Sequence, residues 1–280
     1  DLTLTVADTQ GRTTSAVTSL RVVEGSTPTQ PAVGISAEGG GEIVTGAGLV
    51  AGLLPAHPDR EPTWRPALHA CATWLTTPPA RAFGTEAWDE DGMTSVSAGH
   101  MHAYLGWTNT ALHAAARVGE TRAGAVGRAL SDQLARRVHG RPLHALETYP
   151  GETYPPDVAT VIASLALDGR YPHEVSSLVA RFRAEAIDPD TGLVRQTLDA
   201  RSGGPGRPRG SGTTVAAYFL GYADATLSRE LSAAARATLR DDVWGFGGVR
   251  EVAPGAPAVQ DIDSGPVVFG LGASASGFGL

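Results

Sequence analysis

The stretch ETYPGETYPPD at residues 147–157 combines carboxylates, phenols and prolines directly before an apolar run, VATVIASLALDG. The double proline before Asp157 is typical of a helix start, because proline fits the first turn of a helix. A carboxylate at the positive end of a helix has its charged form favoured, so Asp157 is expected to act as a base, a nucleophile or a hydrogen-bond acceptor. The competing interpretation is a simple helix cap.

Two glutamates and two tyrosines precede Asp157 in the same stretch. Glu147 and Glu152 have no helix start of their own. Either glutamate, if it is desolvated against Tyr149 or Tyr154, would hold a proton near neutral pH and serve as the acid. The stretch therefore predicts an acid–base pair of carboxylates, with Asp157 as the other member.

Two further segments place polar side chains before predicted buried helices. DIDSGP carries Asp261 and Asp263, and either Asp263 or Ser264 is expected to be a helix cap. In PRGSGTT, Arg209 and the glycine-rich backbone offer hydrogen-bond donors to an anionic or hydroxylated ligand. These segments add Asp263 to the candidate catalytic residues, and Arg209 and Asp261 to the candidate substrate-binding residues.

Motifs of the common cofactor and metal enzymes are missing from the sequence. No dinucleotide-binding, nucleophile-elbow or HExxH pattern occurs. The acidic segment EAWDEDGM around Trp88 fits no calcium loop and is expected to be solvated. His100 and His102 are two residues apart, so at a helix start they would not face one metal ion. We therefore expect neither a metal ion nor a cofactor.

The composition is globular and excludes several partner classes. The 280 residues include 22 basic and 29 acidic ones, which gives a net charge of −7 without a basic run. Nucleic acid is therefore not an expected partner. No uninterrupted apolar stretch is long enough for a membrane span, so a small molecule or a glycan is the expected partner.

Residues 1–24 differ in pattern from the rest of the chain. Apolar and polar residues alternate on both sides of DTQGR, which predicts a β-hairpin, the remnant of an immunoglobulin-like or PKD-like module. Residues 25–41, beginning STPTQPAVG, have the composition of a linker. Such modules are commonest in exported proteins, so a secreted or cell-envelope location is expected.

From residue 42 to residue 280 the pattern is helical. The predicted helices are 43–54, 64–76, 101–117, 122–138, 157–167, 173–187, 212–222, 227–240 and 264–280. Helices that are apolar on all sides alternate with amphipathic ones, which is typical of two concentric layers. The predicted buried helices recur about every 50–55 residues.

This alternation predicts an (α/α)6-type toroid, in which all inner helices run the same way. Their N-terminal ends then gather on one rim, where the positive helix ends favour an anion or a polar ligand. Nine predicted helices are fewer than the twelve of a closed toroid, so the toroid is expected to be incomplete. Completion by a further segment or by a second copy in a homo-oligomer is left open.

Four segments carry a resemblance to a known family: EAWDEDG, AYLGWTNTALHAAARVGE, EAIDPDTGL and DATLSREL. With their spacing, they make residues 84–280 similar to the catalytic domain of linalool dehydratase/isomerase. The resemblance implies an exported bacterial α/α-toroid enzyme that hydrates, dehydrates and isomerises a terpene alcohol. It also implies acid–base chemistry without a cofactor.

The resemblance predicts where the pocket lies, but the side chains at the catalytic positions differ from those of the family. Aligned on VATVIASL, Asp157 takes the place of one family cysteine, and Thr148 lies at or next to the place of another. Trp107 follows Gly106 where the family has a histidine after a glycine, while Tyr104 matches a tyrosine. Linalool itself is therefore not the expected substrate.

Three functions remain open at this point. The leading one is a cofactor-independent lyase or isomerase that acts on a neutral hydroxylated substrate. The second is a glycoside hydrolase or polysaccharide lyase, with sugar rings stacked on aromatic residues that include Trp244. The third is a non-catalytic ligand-binding toroid. The candidate catalytic residues are Asp157, Glu147, Glu152 and Asp263. The candidate substrate-binding residues are Tyr104, Trp107, Thr148, Tyr149, Tyr154, Arg209, Asp261 and Trp88.

Overall fold

The computed structural model describes residues 4–7, 13–16, 58–95, 99–117, 119–257, 259–261 and 263–279. The chain divides into two units, Asp1–Gly34 and Ile35–Leu280. The predicted helix over 43–54 and the expected linker over 25–41 lie outside the described residues. The boundaries drawn from the sequence therefore stay a prediction.

The first unit contains one antiparallel strand pair. Strand β1 (Leu4–Ala7) pairs with β2 (Thr13–Ala16), and Leu4 lies opposite Ala16. The two strands flank the DTQGR segment that the sequence marks as a turn. The relation of this hairpin to an immunoglobulin-like or PKD-like module remains a prediction.

The second unit is mainly helical, with a few short antiparallel strand pairs. Its described helices are α1 (Glu61–Leu75), α2 (Ala82–Trp88), α3 (Tyr104–Arg117), α4 (Thr121–Val138), α5 (Pro155–Asp168), α6 (Pro172–Arg181), α7 (Gly210–Leu220), α8 (Ala225–Leu239) and α9 (Ala273–Gly279). Its strand pairs are β3 (Glu152–Thr153) with β4 (Leu198–Asp199), β5 (Arg240–Val243) with β6 (Phe246–Val249), and β7 (Val267–Val268) with β8 (Leu271–Gly272). None of the described helices is long and apolar enough to cross a membrane.

The helices form an inner series and an outer series. Helices α3, α5, α7 and α9 pack against one another in chain order, while α4, α6 and α8 pack outside α3, α5 and α7. Residues 158–165 of α5 are all buried, because VATVIASL presents only apolar or small side chains. The outer helix α8 has charged residues on its exposed face and begins at Asp224, whose carboxylate accepts from the N–H groups of Thr226 and Leu227. Burial of apolar surface between the two series builds the main core.

The inner helices α3 and α5 are parallel and unusually close. A Cβ atom on Gly106 would lie 2.6 Å from the backbone nitrogen of Val161. Three residues further along α3, the Asn109 side-chain amide donates to Ser164 Oγ at 3.0 Å. Both contacts advance in the same direction along the two helices, so their N-terminal ends lie together.

Helix α7 begins beside the start of α5. A Cβ atom on Gly212 would lie 3.2 Å from Pro156 Cγ and 2.5 Å from Gln196 Oε1. The starts of α3, α5 and α7 therefore share one edge of the helical layer, which we call the N-terminal rim. The packing along α7 and α9 is also parallel, since positions 210 and 279 approach Ala275 and Thr214 respectively.

The prediction of one helix over 264–280 is wrong in its first half. This segment contains β7 and β8, and only Ala273–Gly279 is helical. Gly265, Phe269 and Gly270 have positive φ angles of 60°, 53° and 87°, which no right-handed helix accepts. The sequence pattern also missed α2 and the β5–β6 hairpin, both too short to show a clear helical period.

Candidate functional site

Asp157 is the third residue of α5, and it does not cap the helix. Tyr154 is the N-cap residue, and the Asp157 N–H donates to its carbonyl at 3.0 Å. The Asp157 carboxylate instead accepts a hydrogen bond from the Trp107 indole N–H of α3, at 3.0 Å. The Trp107 ring is held edge-to-face against Phe219 of α7, with ring centroids 4.9 Å apart. The cap interpretation is therefore wrong, and Asp157 belongs to a contact between inner helices.

The carboxyl of Asp157 holds its proton far more tightly than an ordinary aspartate. Burial raises its pKa to about 7, the hydrogen bond from Trp107 opposes the rise, and the negative charge of Asp263 adds to it. The helix start favours the charged form, but desolvation outweighs the field of the helix end, so the expectation of an ordinary charged aspartate is not met. Asp157 is thus an acid near neutral pH.

Asp263 is exposed to solvent and lies within electrostatic reach of Asp157. It keeps contact with solvent, yet the protein around it removes enough hydration to raise its pKa. The charge of Asp261 adds to this rise, whereas Arg209 and a hydrogen bond from Gln196 oppose it. Asp263 is exposed whereas Asp157 is partly buried, so solvent screens the charge of Asp263 more strongly. Asp263 is therefore the candidate base of the pair.

Gln196 positions the Asp263 carboxylate. Its amide nitrogen donates to Asp263 Oδ2 at 3.0 Å, and its side chain is 8% exposed. The residue lies in an extended return between α6 and α7, in a segment without a motif. Sequence reasoning missed Gln196 because nothing in its neighbourhood marks it as chemical.

Two tyrosines flank the carboxyl pair. The rings of Tyr149 and Tyr154 meet edge-to-face, with centroids 5.4 Å apart. Burial is the main cause of the raised pKa of both phenols, and that of Tyr154 is about 12. The charges of Asp157 and Asp263 act on both rings in the same direction. Both phenols are therefore neutral hydrogen-bond donors within the electrostatic reach of the two carboxyls.

Arg209 and Asp261 hold the rim together. The Arg209 guanidinium donates to both carboxylate oxygens of Asp261, at 2.6 and 2.8 Å, and to Glu251 Oε1 at 2.7 Å. Asp261 in turn accepts from the backbone N–H groups of Asp263 and Ser264. These contacts use the N–H groups of the Arg209 guanidinium to hold Asp261. Because Asp261 in turn binds the Asp263 backbone, Arg209 and Asp261 together position Asp263.

Glu251 is a second residue that sequence reasoning missed. It is fully buried, and its carboxylate accepts from Ser211 Oγ at 2.6 Å and from the Ser211 N–H at 3.2 Å. Glu251 thereby provides a hydrogen-bond acceptor at the start of α7 and forms an ion pair with Arg209. A buried carboxylate far along the chain from its partners leaves no local sequence signal.

The two glutamates of the opening stretch make their described contacts within the loop before α5. Glu147 accepts from the Gly151 N–H at 2.9 Å, within its own turn. Glu152 is exposed on β3 and reaches only the Tyr154 phenol. Thr148 is buried, and its hydroxyl accepts from the Tyr154 N–H at 2.9 Å. The catalytic role predicted for Glu147 or Glu152 stays a prediction.

Tyr104 and Trp88 make their contacts in a second cluster, the Trp88 cluster. The Tyr104 hydroxyl donates to Asp91 Oδ1 at 3.0 Å and accepts from the Gly92 N–H at 2.6 Å. The Trp88 ring stacks on His100 with centroids 3.9 Å apart. Burial raises the pKa of Tyr104 to about 12 and lowers that of His102 to about 4. The Trp88 indole N–H also donates to the Thr148 carbonyl at 3.3 Å, so the Trp88 cluster adjoins the loop before α5.

The other geometric features of the described residues offer no competing centre. No three His, Cys, Asp or Glu side chains among them are arranged to hold a metal ion. An open surface groove of about 360 Å³ lies between α4 and α6, and its lining residues are Asp132, Ala135, Arg136, His139, Tyr171 and Glu174. None of the predicted site residues lines this groove.

Comparison with known proteins does not assign the chain. Neither a scan against protein-family models nor a search of curated proteins finds a match. The resemblance to linalool dehydratase/isomerase therefore rests on the quoted sequence segments.

Proposed function

We propose that this chain is a cofactor-independent acid–base enzyme of the linalool dehydratase/isomerase-like class. The carrying observation is that burial raises the pKa of Asp157 to about 7 within electrostatic reach of Asp263, the more solvent-exposed carboxyl of the two. Two carboxyls with separated protonation form an acid and a base at one place. The parallel inner helices support an incomplete (α/α)6-type toroid as the scaffold.

The arrangement suits removal of water from an alcohol. Asp157 donates its proton to the substrate hydroxyl, the carbon–oxygen bond breaks, and water leaves. Asp263 takes a proton from the neighbouring carbon as the double bond forms. Exchange with solvent returns the proton from Asp263 to Asp157, and addition of water follows the same steps in reverse.

The substrate is proposed to be neutral and hydroxylated. An anionic substrate would meet the negative charge of Asp263, while Arg209 is already neutralised by Glu251 and Asp261. The phenol of Tyr149 offers a donor to a hydroxyl, and the rings of Tyr149 and Tyr154 offer flat apolar faces to a hydrocarbon. The predicted export module supports a secreted or cell-envelope location.

A glycosidase or polysaccharide lyase is the second candidate. Its support is the combination of two carboxyls and a pair of tyrosine rings at one rim. Glycosidases also use one protonated and one ionised carboxyl, and aromatic rings stack on sugars. Product analysis separates the candidates, since a dehydratase yields an alkene and a glycosidase yields a new reducing end.

The test begins with a screen of terpene alcohols and neutral oligosaccharides. On the compound that is turned over, Asp157→Asn and Asp263→Asn are each expected to lower kcat by about a hundredfold or more. Asp190→Asn, at an exposed aspartate outside the rim, is the matched control and should keep wild-type turnover. Full activity of Asp157→Asn would contradict the proposal.

A further inference from the structure

Three large hydrophobic side chains stand in solvent on the β5–β6 and β7–β8 hairpins. Trp244 is 80% exposed, Phe269 is 61% exposed and Val268 is 57% exposed. Together they present about 400 Å² of apolar surface, the size of a functional patch on a monomer. Burial in the core therefore does not explain these residues.

The backbone at both aromatic residues is unfavourable for a large side chain. Trp244 and Gly245 have φ angles of 55° and 82°, and Phe269 and Gly270 have 53° and 87°. Each pair forms a two-residue hairpin turn with both residues in the left-handed region, where Asn-Gly is the usual choice. The same disfavoured aromatic choice at two separate turns points to a role outside folding.

The two rings and their polar neighbours form one surface. The Trp244 and Phe269 rings meet at 66° with centroids 4.7 Å apart. Arg250 packs against Gly270 and pairs with Asp241 of β5 at 2.5 Å. The surface thus combines open aromatic faces with a carboxylate and a guanidinium.

The size and charge of this surface indicate which class of ligand it can bind. A stable dimer needs about 800 Å² from each partner, about twice what the patch offers. Asp241 and Asp242 lie on β5, Arg250 is already paired, and the chain has a net charge of −7, so anionic lipid and nucleic acid are disfavoured. A neutral sugar ring fits, because its C–H face packs on an aromatic ring and its hydroxyls bond to Asp and Arg side chains.

We propose that Trp244, Phe269, Asp241 and Arg250 form a glycan-binding surface for a neutral oligosaccharide. This surface is separate from the Asp157 and Asp263 carboxyls and does not depend on their proposed chemistry. It would attach the protein to a polysaccharide whichever compound the rim turns over.

The test measures the binding of cellohexaose, xylohexaose and chitohexaose to the full chain by isothermal titration calorimetry. Trp244→Asn and Phe269→Asn should each weaken binding about tenfold or more. The same variants should unfold at an equal or higher temperature, because asparagine suits the left-handed turn position. Trp244→Phe, which keeps an aromatic ring, should retain most of the affinity.

Several results would overturn the proposal. The first is that the wild-type chain binds none of the three probes, and the second is that the Asn variants bind as tightly as wild type. The third is a clear loss of thermal stability in the Asn variants, which would assign the rings to folding. Binding to phosphatidylcholine vesicles, or self-association in sedimentation, that is lost in the Asn variants would replace the glycan with that partner. Activity of Asp157→Asn is measured separately, so the two proposals fail independently.

Discussion

The carboxyl of Asp157 is subject to two opposing influences. The start of α5 favours its charged form, and the Trp107 indole stabilises that form with a hydrogen bond. Loss of hydration and the nearby charge of Asp263 favour the neutral form and win, since the pKa is about 7. An aspartate in this state can deliver a proton at the pH where ordinary aspartates are ionised.

The raised pKa of Asp157 predicts a specific dependence of stability on pH. Between the ordinary pKa of 3.8 and the folded value of about 7, the folded state binds more protons than the unfolded state. The free energy of unfolding therefore falls as pH rises through this window. Asp157→Asn removes this loss and keeps an acceptor for Trp107, so at pH 8 the variant should be more stable by about 1–2 kcal/mol.

Urea unfolding of both proteins at pH 4 and at pH 8 measures this effect. The difference in stability between them should appear only at the higher pH. Parallel stability profiles across the range would mean that Asp157 titrates like an ordinary aspartate.

At the scale of single residues, part of the site was predictable from the sequence. Asp157, Asp263, Tyr149 and Tyr154 stand out because their residue types coincide with predicted helix starts. The role of Asp157 was not predictable, because the hydration of a carboxyl depends on atoms contributed by distant segments. Gln196 is an example of such a contribution, since its amide reaches Asp263 across 67 positions of the chain.

At the scale of elements, the close approach of α3 and α5 brings Trp107 to Asp157. Gly106 makes this approach possible, because a side chain there would collide with Thr160 and with the backbone of Val161. The contact is helix against helix, and neither backbone can move away without disturbing the inner series. The rim geometry therefore depends on a residue with no side chain.

Gly106→Ala should destabilise the protein by about 1–3 kcal/mol, because the added methyl group overpacks the α3–α5 contact. The matched control is Gly277→Ala in α9, where a Cβ atom meets nothing within 4 Å. That change should be neutral or stabilising by up to about 1 kcal/mol, since alanine favours a helix. Thermal and urea unfolding of both variants measure the effect, and an equal response would show that α3 and α5 do not approach so closely.

Most helices were predictable from hydrophobic periodicity. The predicted spans 122–138 and 227–240 lie within two residues of α4 and α8. The failure over 264–280 has a local cause, because apolar residues in PVVFGLG suit a helix and a short hairpin equally well. Only the left-handed turn at Phe269 and Gly270 decides between them, and that turn is stabilised by packing against Arg250.

At the scale of the whole molecule, the chain comprises two compact units that meet in sequence at Gly34 and Ile35. The first unit contains the β1–β2 pair, and the second contains all the helices of the described residues. Deletion of residues 1–30 should therefore leave the helical circular-dichroism signal and the Tm of the second unit nearly unchanged. A loss of cooperative unfolding in the truncated protein would contradict this division.

The parallel inner series links the fold to the chemistry. Because α3, α5 and α7 begin at one rim, residues from separate parts of the chain meet there, and Asp263 joins them from the segment before β7. The central claim is that Asp157 and Asp263 share one environment in which Asp157 keeps the proton. This claim does not depend on whether the helices form the proposed toroid.

The most direct test is a carbon-13 NMR titration of the aspartate carboxyls in the wild type and in Asp263→Asn. In the wild type, Asp157 is expected to titrate with an apparent pKa of about 7. In Asp263→Asn the pKa of Asp157 should fall, because the neighbouring negative charge is gone while burial remains. A wild-type pKa of Asp157 near the ordinary 3.8, or an identical value in the two proteins, would contradict the account.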